Sequence, residues 1–169
     1  MDIITAITTR RSIRAYKEEP LGEETIKMLV HAGMCAPSAY NRRPYHFVTI
    51  TDKATKHAIK DKSMFAKMLD EAGLVIAVCG DKLIQPIHDF LIEDCSAATE
   101  NILLAAHGLG LGAVWIGVFK LTGWQNFIVD TLKLPSHVLP VALISIGVPD
   151  QTRKDRDRFE KGKWHRETW

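Results

Sequence analysis

Apolar positions along this chain fall partly at helical spacing and partly in short unbroken runs, with turn residues between them. Residues 2–9 read as a short helix, and Pro20–Gly22 as a break. From Glu23 to Cys35, the residues Ile26, Leu29, Val30 and Met34 share one face, which predicts an amphipathic helix. Pro37, Ser38, Asn41 and Pro44 mark an ordered loop. FVTI at 47–50 reads as a strand, and 52–61 as a helix capped by Asp52. A further short helix is expected over 63–71.

The second half repeats the alternation. LVIAVCG at 74–80 is a continuous apolar run, as in a strand buried on both faces. Pro86 opens a long helix reaching about His107. Its later part, AATENILLAAHGLG, is apolar almost all round, which implies burial on more than one side, against a sheet and a partner subunit. GAVWIGVF at 112–119 predicts a strand, 122–132 a helix and VALISIG at 141–147 a last strand. There is no repeat and no low-complexity linker, so residues 1–169 read as one mixed α/β domain. From Val148 the pattern dissolves into a basic tail, 148–169, whose Trp164 and Trp169 suggest that it packs on something.

Charge changes the picture through its placement. The 169 residues are 46% hydrophobic and 25% charged, with a net charge of +2, too small for a general polyanion binder. One basic cluster is Arg10, Arg11 and Arg14; the other runs from Arg153 to Arg166. Cys35, Cys79 and Cys95 form no CxxC pair, which argues against a disulfide framework or zinc site and favours a reducing, cytoplasmic setting. No apolar run approaches the about 20 residues that cross a bilayer, and no signal-peptide pattern opens the chain.

Three segments carry candidate chemistry. Arg10, Arg11, Ser12 and Arg14 suit a phosphate, because guanidinium forks match its oxygens and a serine hydroxyl adds a short hydrogen bond. They equally suit a solvated basic turn after a helix. In APSAYNRRPY (36–45), two prolines stiffen a loop that presents Ser38 and Asn41, to a ligand or simply to a turn. The glycines of GLGLGAVWIG (108–117) follow a helix and open a strand, the reverse of a dinucleotide fingerprint, so they read as a C-cap and tight turn. Gly117 differs: a glycine at a strand end lets a flat ligand approach the backbone. The histidines show no metal spacing, and there is no GxSxG or Walker A motif. His88, Asp89 and Glu93 read as an exposed helix face.

Taken in order, these pieces resemble the nitroreductase family of FMN-dependent oxidoreductases, in its short form. RRSIRAY is similar to the family's R-x-S-x-R signature, APSAYNRRPYHFV to its A-P-S-x-x-N-x-Q-P-W segment, and GLGLGAVWIG to its G-L-G-x-x-W-x-G segment. PVALISIGVP followed by basic residues resembles its closing strand and tail.

The resemblance implies an α+β fold: a central mixed, mainly antiparallel sheet wrapped by helices, in a domain-swapped homodimer with FMN at the interface. It implies that Arg10, Arg11, Ser12 and Arg14 hold the phosphate, ribityl chain and pyrimidine edge. Pro37, Ser38, Ala39, Tyr40 and Asn41 match the loop that the other subunit lays against the flavin. Trp115, Ile116 and Gly117 match the strand end beside the isoalloxazine, and Arg156 and Arg158 a basic pair closing on the phosphate. The implied activity is ping-pong: NAD(P)H gives a hydride to the flavin and leaves, and a flat small-molecule acceptor (nitroaromatic, quinone or enone) is then reduced. No catalytic side chain, metal, nucleic acid or membrane is expected. Alternatives on the same fold are a dehalogenase, a flavin-destroying enzyme, or a flavin-binding protein without turnover. The chain departs from the motif at Arg43, where Gln is usual, and Tyr45, where Trp is usual. It also lacks a clear match to an Asn/Lys pair of larger members, with only Lys67 nearby.

Overall fold

The computed structural model of the protein describes residues 1–120, 123–154 and 156–169. Its hub is the last strand, β5 (Val138–Pro149), which pairs antiparallel with three others: β1 (Tyr16–Lys17), β3 (Leu74–Asp81) and β4 (Gly112–Gly117). β2 (Tyr45–Ile50) pairs antiparallel with β3, from Tyr45↔Gly80 to Ile50↔Val75. A bulge between Val78 and Cys79 shifts the β3–β5 register by one residue. The described ladders are all antiparallel; a parallel bridge, Ser12↔Ala113, makes the sheet mixed.

All eight residues of β3 are buried, because helices cover both faces of the sheet. Period-two alternation divides the core accordingly. Ile76, Val78, Ile144 and Ile146 face α2 (Glu23–Met34) and α4 (His88–Gly108). Val75, Ala77, Leu143, Val114 and Ile116 face α3 (Lys53–Lys62), the 3₁₀ turns of Met64–Leu69, and α5 (Trp124–Leu132). Each fully buried Leu or Ile side chain contributes about 1.5–3 kcal/mol before entropy is counted. The helices start where side chains satisfy their first amides. Asp2 accepts from Thr5 N at 3.0 Å for α1 (Ile3–Thr9), and Asp52 from Thr55 N at 2.8 Å for α3. The Thr55 hydrogen bonds hold the Asp52 carboxyl below the usual carboxylate range.

Several boundaries differ from the sequence reading. β2, β3 and β5 are longer than expected and β4 shorter, and β1 was not anticipated: two residues are too few to show alternation. Pro86 does not open the long helix; α4 begins at His88, after Ile87 N donates to the Gln85 Oε1. The expected start of α5 at Thr122 lies outside the described residues. The glycine turn behaves as read. Gly110 has φ 77°, and a Cβ on Gly112 would come within 2.5 Å of Ile13. His88, Asp89 and Glu93 are exposed.

Candidate active site

The segment after α1 is laid along the free edge of β4. Ile13 N donates to Ala113 O at 3.0 Å, and Ser12 bridges Ala113. Tyr16 then plugs into the sheet, its hydroxyl donating to Ile13 O at 2.7 Å with Ser145 O at 3.1 Å; burial pushes its pKa up to about 12. On the other flank Asp150 N donates to Ala15 O, so the start of the tail runs beside the arginine segment. With its amide oxygen turned inward, Gln151 accepts from Arg14 N and Ala15 N.

This pairing gathers positive charge. Arg11, Ser12, Arg14, Arg153, Lys154, Arg156 and Arg158 line a cleft of about 500 Å³. Arg14, Arg153, Lys154, Arg156 and Arg158 form no salt bridge among the described residues. Unpaired cations held this close repel one another unless an anion joins them. The cleft therefore fits a phosphate.

The three N-terminal arginines are not equivalent. Arg14 points into the cleft. Arg10 turns toward α4, where its Nε lies 3.3 Å from Glu100 Oε1, within ion-pair distance but without hydrogen-bond alignment. Among the described residues its two terminal nitrogens have no partner. Arg11 is spent on main-chain oxygens. It donates to Arg10 O at 2.9 Å, to Thr8 O at 3.1 Å, and to Lys154 O and Arg156 O at 3.4 Å each. Four of its five donors are engaged there, so Arg11 staples the tail to the N-terminal segment.

Arg14 also lines a second, apolar cleft of about 370 Å³ with Trp115, Ile116, Gly117, Met64, Phe65, Met68 and Phe119. The backbone of β4 faces this space. Val118 N bonds β5 at Val141 O, whereas Ala113 O and Gly117 O bond away from β5, to Ile13 N and Trp124 Nε1. Antiparallel alternation then turns the N–H groups of Trp115 and Gly117 toward the unpaired edge. Gly117 is exposed, and among the described residues a Cβ there would meet Phe119 alone, at 3.7 Å. A basic cleft opening, through one shared arginine, onto an apolar slot with backbone donors fits a phosphate-bearing planar ligand such as FMN.

Pro37, Ser38, Ala39, Tyr40 and Asn41 lie apart from both clefts of their own chain. They form a tight turn beside the N-terminal half of α4, with Ala39 N donating to Asp94 Oδ1 at 2.7 Å and Tyr40 edge-on to Phe90. Tyr45, the departure from the usual Trp, is buried. Its hydroxyl donates to Ala36 O at 2.7 Å and so fastens the start of this turn. Arg43 is exposed, with its amide bonded to Ser38 Oγ at 2.9 Å.

Sequence reasoning missed Met64, Phe65, Met68 and Phe119, because apolar residues in a 3₁₀ turn and after a strand look like ordinary core. The exposed Met64, Phe65 and Phe119 are the visible sign that they are not. Burial pushes the Cys79 and Cys95 thiols up to about 12, which removes them as nucleophiles. The tail is exposed throughout its last ten residues. Phe159 and Trp164 touch edge-on and His165 stacks on Trp169. Among the described residues no helix is long and apolar enough to cross a membrane.

Comparison with known proteins gives a consistent picture. The sequence profile described as Nitroreductase family matches residues 7–72 and 60–148. A protein of Methanothermobacter thermautotrophicus, named provisionally as an NADH dehydrogenase/NAD(P)H nitroreductase, is 40% identical over the whole chain and 88% of its own length. The FMN reductase [NAD(P)H] of Bacillus subtilis is 29% identical, covering 99% of this chain and 74% of its own. The solved FMN-dependent nitroreductase of Clostridium difficile superposes with a TM-score of 0.91 at 30% identity, over 98% of this chain and 99% of that one.

Proposed function

The chain belongs to the nitroreductase family, and from that premise we propose that it is an FMN-dependent NAD(P)H oxidoreductase that reduces flat acceptors such as quinones and nitroaromatics. The observation that carries the reading is the continuity of the two clefts through Arg14. Bound FMN would supply the redox chemistry between NAD(P)H and the acceptor.

The protein's part is binding, orientation and electrostatics. Arg14, Ser12, Arg156 and Arg158 hold the phosphate and ribityl end, with Arg10 reaching in by its terminal nitrogens. The N–H groups of Trp115 and Gly117 would set the ring edge, with Ile116 lining the slot between them. Arg14, at the junction of the clefts, would favour negative charge on a ring held there. Met64, Phe65 and Phe119 keep water from the ring and offer apolar surface to a planar acceptor. No side-chain acid, base or nucleophile is required.

The site is completed by a second copy, whose Pro37–Asn41 turn lies against the flavin. The tail 148–169 wraps the partner. Supporting this are the exposed Ile3, Ile4 and Ile7 on α1, and the exposed Phe159 and Trp164 in the tail, an apolar surface large for an isolated chain. A cytoplasmic setting goes with three free cysteines.

Steady-state kinetics test the reading. With FMN-loaded protein, varying NADH or NADPH against a quinone should give parallel double-reciprocal lines. Absence of NAD(P)H oxidation with both quinone and nitroaromatic acceptors, in protein that retains FMN, would leave only a flavin-binding role. Sedimentation at micromolar concentration should give a dimer, and a monomer with full activity would refute the shared site.

A further inference from the structure

A carboxylate stands in the buried stripe of α4. Asp94 is 5% exposed, between the fully buried Leu91, Cys95 and Ala98. Helical spacing calls for an apolar residue there, and an ion in such a place is costly unless it is paired. Asp94 has no cationic partner among the described residues. One oxygen, Oδ1, accepts the 2.7 Å hydrogen bond from Ala39 N, and the other, Oδ2, is buried without a partner among the described residues.

What Asp94 holds is itself strained. Tyr40, Asn41 and Arg43 have φ of 55°, 53° and 53°, left-handed values that residues other than glycine adopt at a cost. Such a turn persists only where its surroundings fix it. Ser38 Oγ ties it from within through Arg43 N. Beside it the fully buried Gln85 accepts from Arg42 at 3.3 Å, and its own Nε2 lacks a partner among the described residues. A buried half-satisfied carboxylate and a run of left-handed residues thus meet at one turn. A leucine at 94 and a relaxed loop would serve stability better.

We propose that Asp94 is a positioning residue for the flavin site: its Oδ1 fixes the shape in which the Ser38–Asn41 turn is presented to the partner's flavin. This rests on the reading given under Proposed function. The role belongs to the acceptor oxygen rather than to the charge, because among the described residues its bond is to a neutral amide.

The test compares wild type, Asp94→Asn and Asp94→Leu, with the melting temperature of the apo protein read beside the FMN dissociation constant from flavin fluorescence quenching. Asp94→Asn keeps a carbonyl oxygen, so its FMN affinity stays within about threefold of wild type. Asp94→Leu lacks the acceptor and loses about tenfold or more. Its apo melting temperature holds or rises, because a buried charge has gone and the partly exposed Ala39 amide can turn to water. A purely structural role cannot lower affinity while leaving the melting temperature intact. Amide exchange at Ala39 in the apo proteins reads the same contact without flavin: slow in wild type and Asp94→Asn, fast in Asp94→Leu.

Wild-type FMN affinity in Asp94→Leu overturns the inference and leaves the functional reading standing. So does a melting temperature that falls with affinity, or an Asp94→Leu chain that does not fold. A wild-type chain that takes up no FMN overturns the functional reading, and the positioning role with it.

Discussion

Glu100 Oε1 lies 3.3 Å from Arg10 Nε, so α4 grips this guanidinium by its inner nitrogen and leaves both outer nitrogens to point elsewhere. A carboxylate that engaged the outer pair would compete with a ligand phosphate; this one orients the arginine for it. Arg10→Ala should weaken FMN binding by about 1.5–3 kcal/mol, the worth of charge-assisted contacts, or roughly ten- to hundredfold. Glu100→Ala should cost less, and the double variant no more than Arg10→Ala alone. Additive losses in titrations of the three variants would break the link between the two residues.

Arg11 is expected to act on the tail rather than on the ligand. Arg11→Ala removes the hydrogen bonds to Lys154 O and Arg156 O. Limited trypsin digestion of the apo protein should then cut faster at Arg153, Lys154, Arg156 and Arg158. Arg14→Ala should weaken FMN affinity without changing the digestion. Equal cleavage rates in wild type and Arg11→Ala would place Arg11 among the direct ligands after all.

Much of this was legible in the sequence, for reasons visible in particular residues. Asp52 marked the start of α3, and LVIAVCG was buried on both faces because both faces of β3 meet helices. Charge alone showed two separate basic clusters, more than a hundred residues apart, and only the family resemblance put Arg156 and Arg158 with Arg11, Ser12 and Arg14; it is the bond from Asp150 N to Ala15 O that joins them. What could not be read was direction. Nothing in RRSIR says that Arg10 turns to α4, Arg11 to carbonyls and Arg14 to the cleft, because those choices are set by Glu100, the tail and the β4 edge. Nor could two residues of β1 show a period.

Gly117 should tolerate a side chain as a matter of folding and not as a matter of function. A Cβ there makes only ordinary contact with Phe119 at 3.7 Å, and valine suits a strand. Gly117→Val should melt within a few degrees of wild type, about the shift that 1 kcal/mol produces. Its branched side chain would fill the slot, so FMN uptake should fall at least about tenfold. Unchanged uptake would move the planar ligand away from this strand end.

Alkaline pH should destabilise the protein through its interior. The folded state raises the Cys79 and Cys95 thiols from 9.0 to about 12, and Tyr16 from 10.0 to about 12, in each case chiefly by burial. The folded chain therefore binds these protons more tightly than the unfolded chain does. Their contribution is complete below the unfolded values and is lost as pH rises from about 9 toward 12. Melting temperature should decline across that window. At pH 8 a thiol reagent should label the exposed Cys35 in the native protein, and the other two cysteines only after unfolding. Rapid native labelling of all three would mean that the sheet opens far more readily than its burial indicates.

If the two joined clefts form one flavin site, the visible absorption spectrum of the protein reads it out. The purified protein is mixed with FMN, desalted and scanned, then scanned again after NADH or NADPH and after a quinone. The expected result is a retained flavin spectrum that bleaches with the nicotinamide and returns with the acceptor. A protein that stays colourless after repeated reconstitution would rule this site out, and Arg14, Arg153, Arg156 and Arg158 would then serve some other anion.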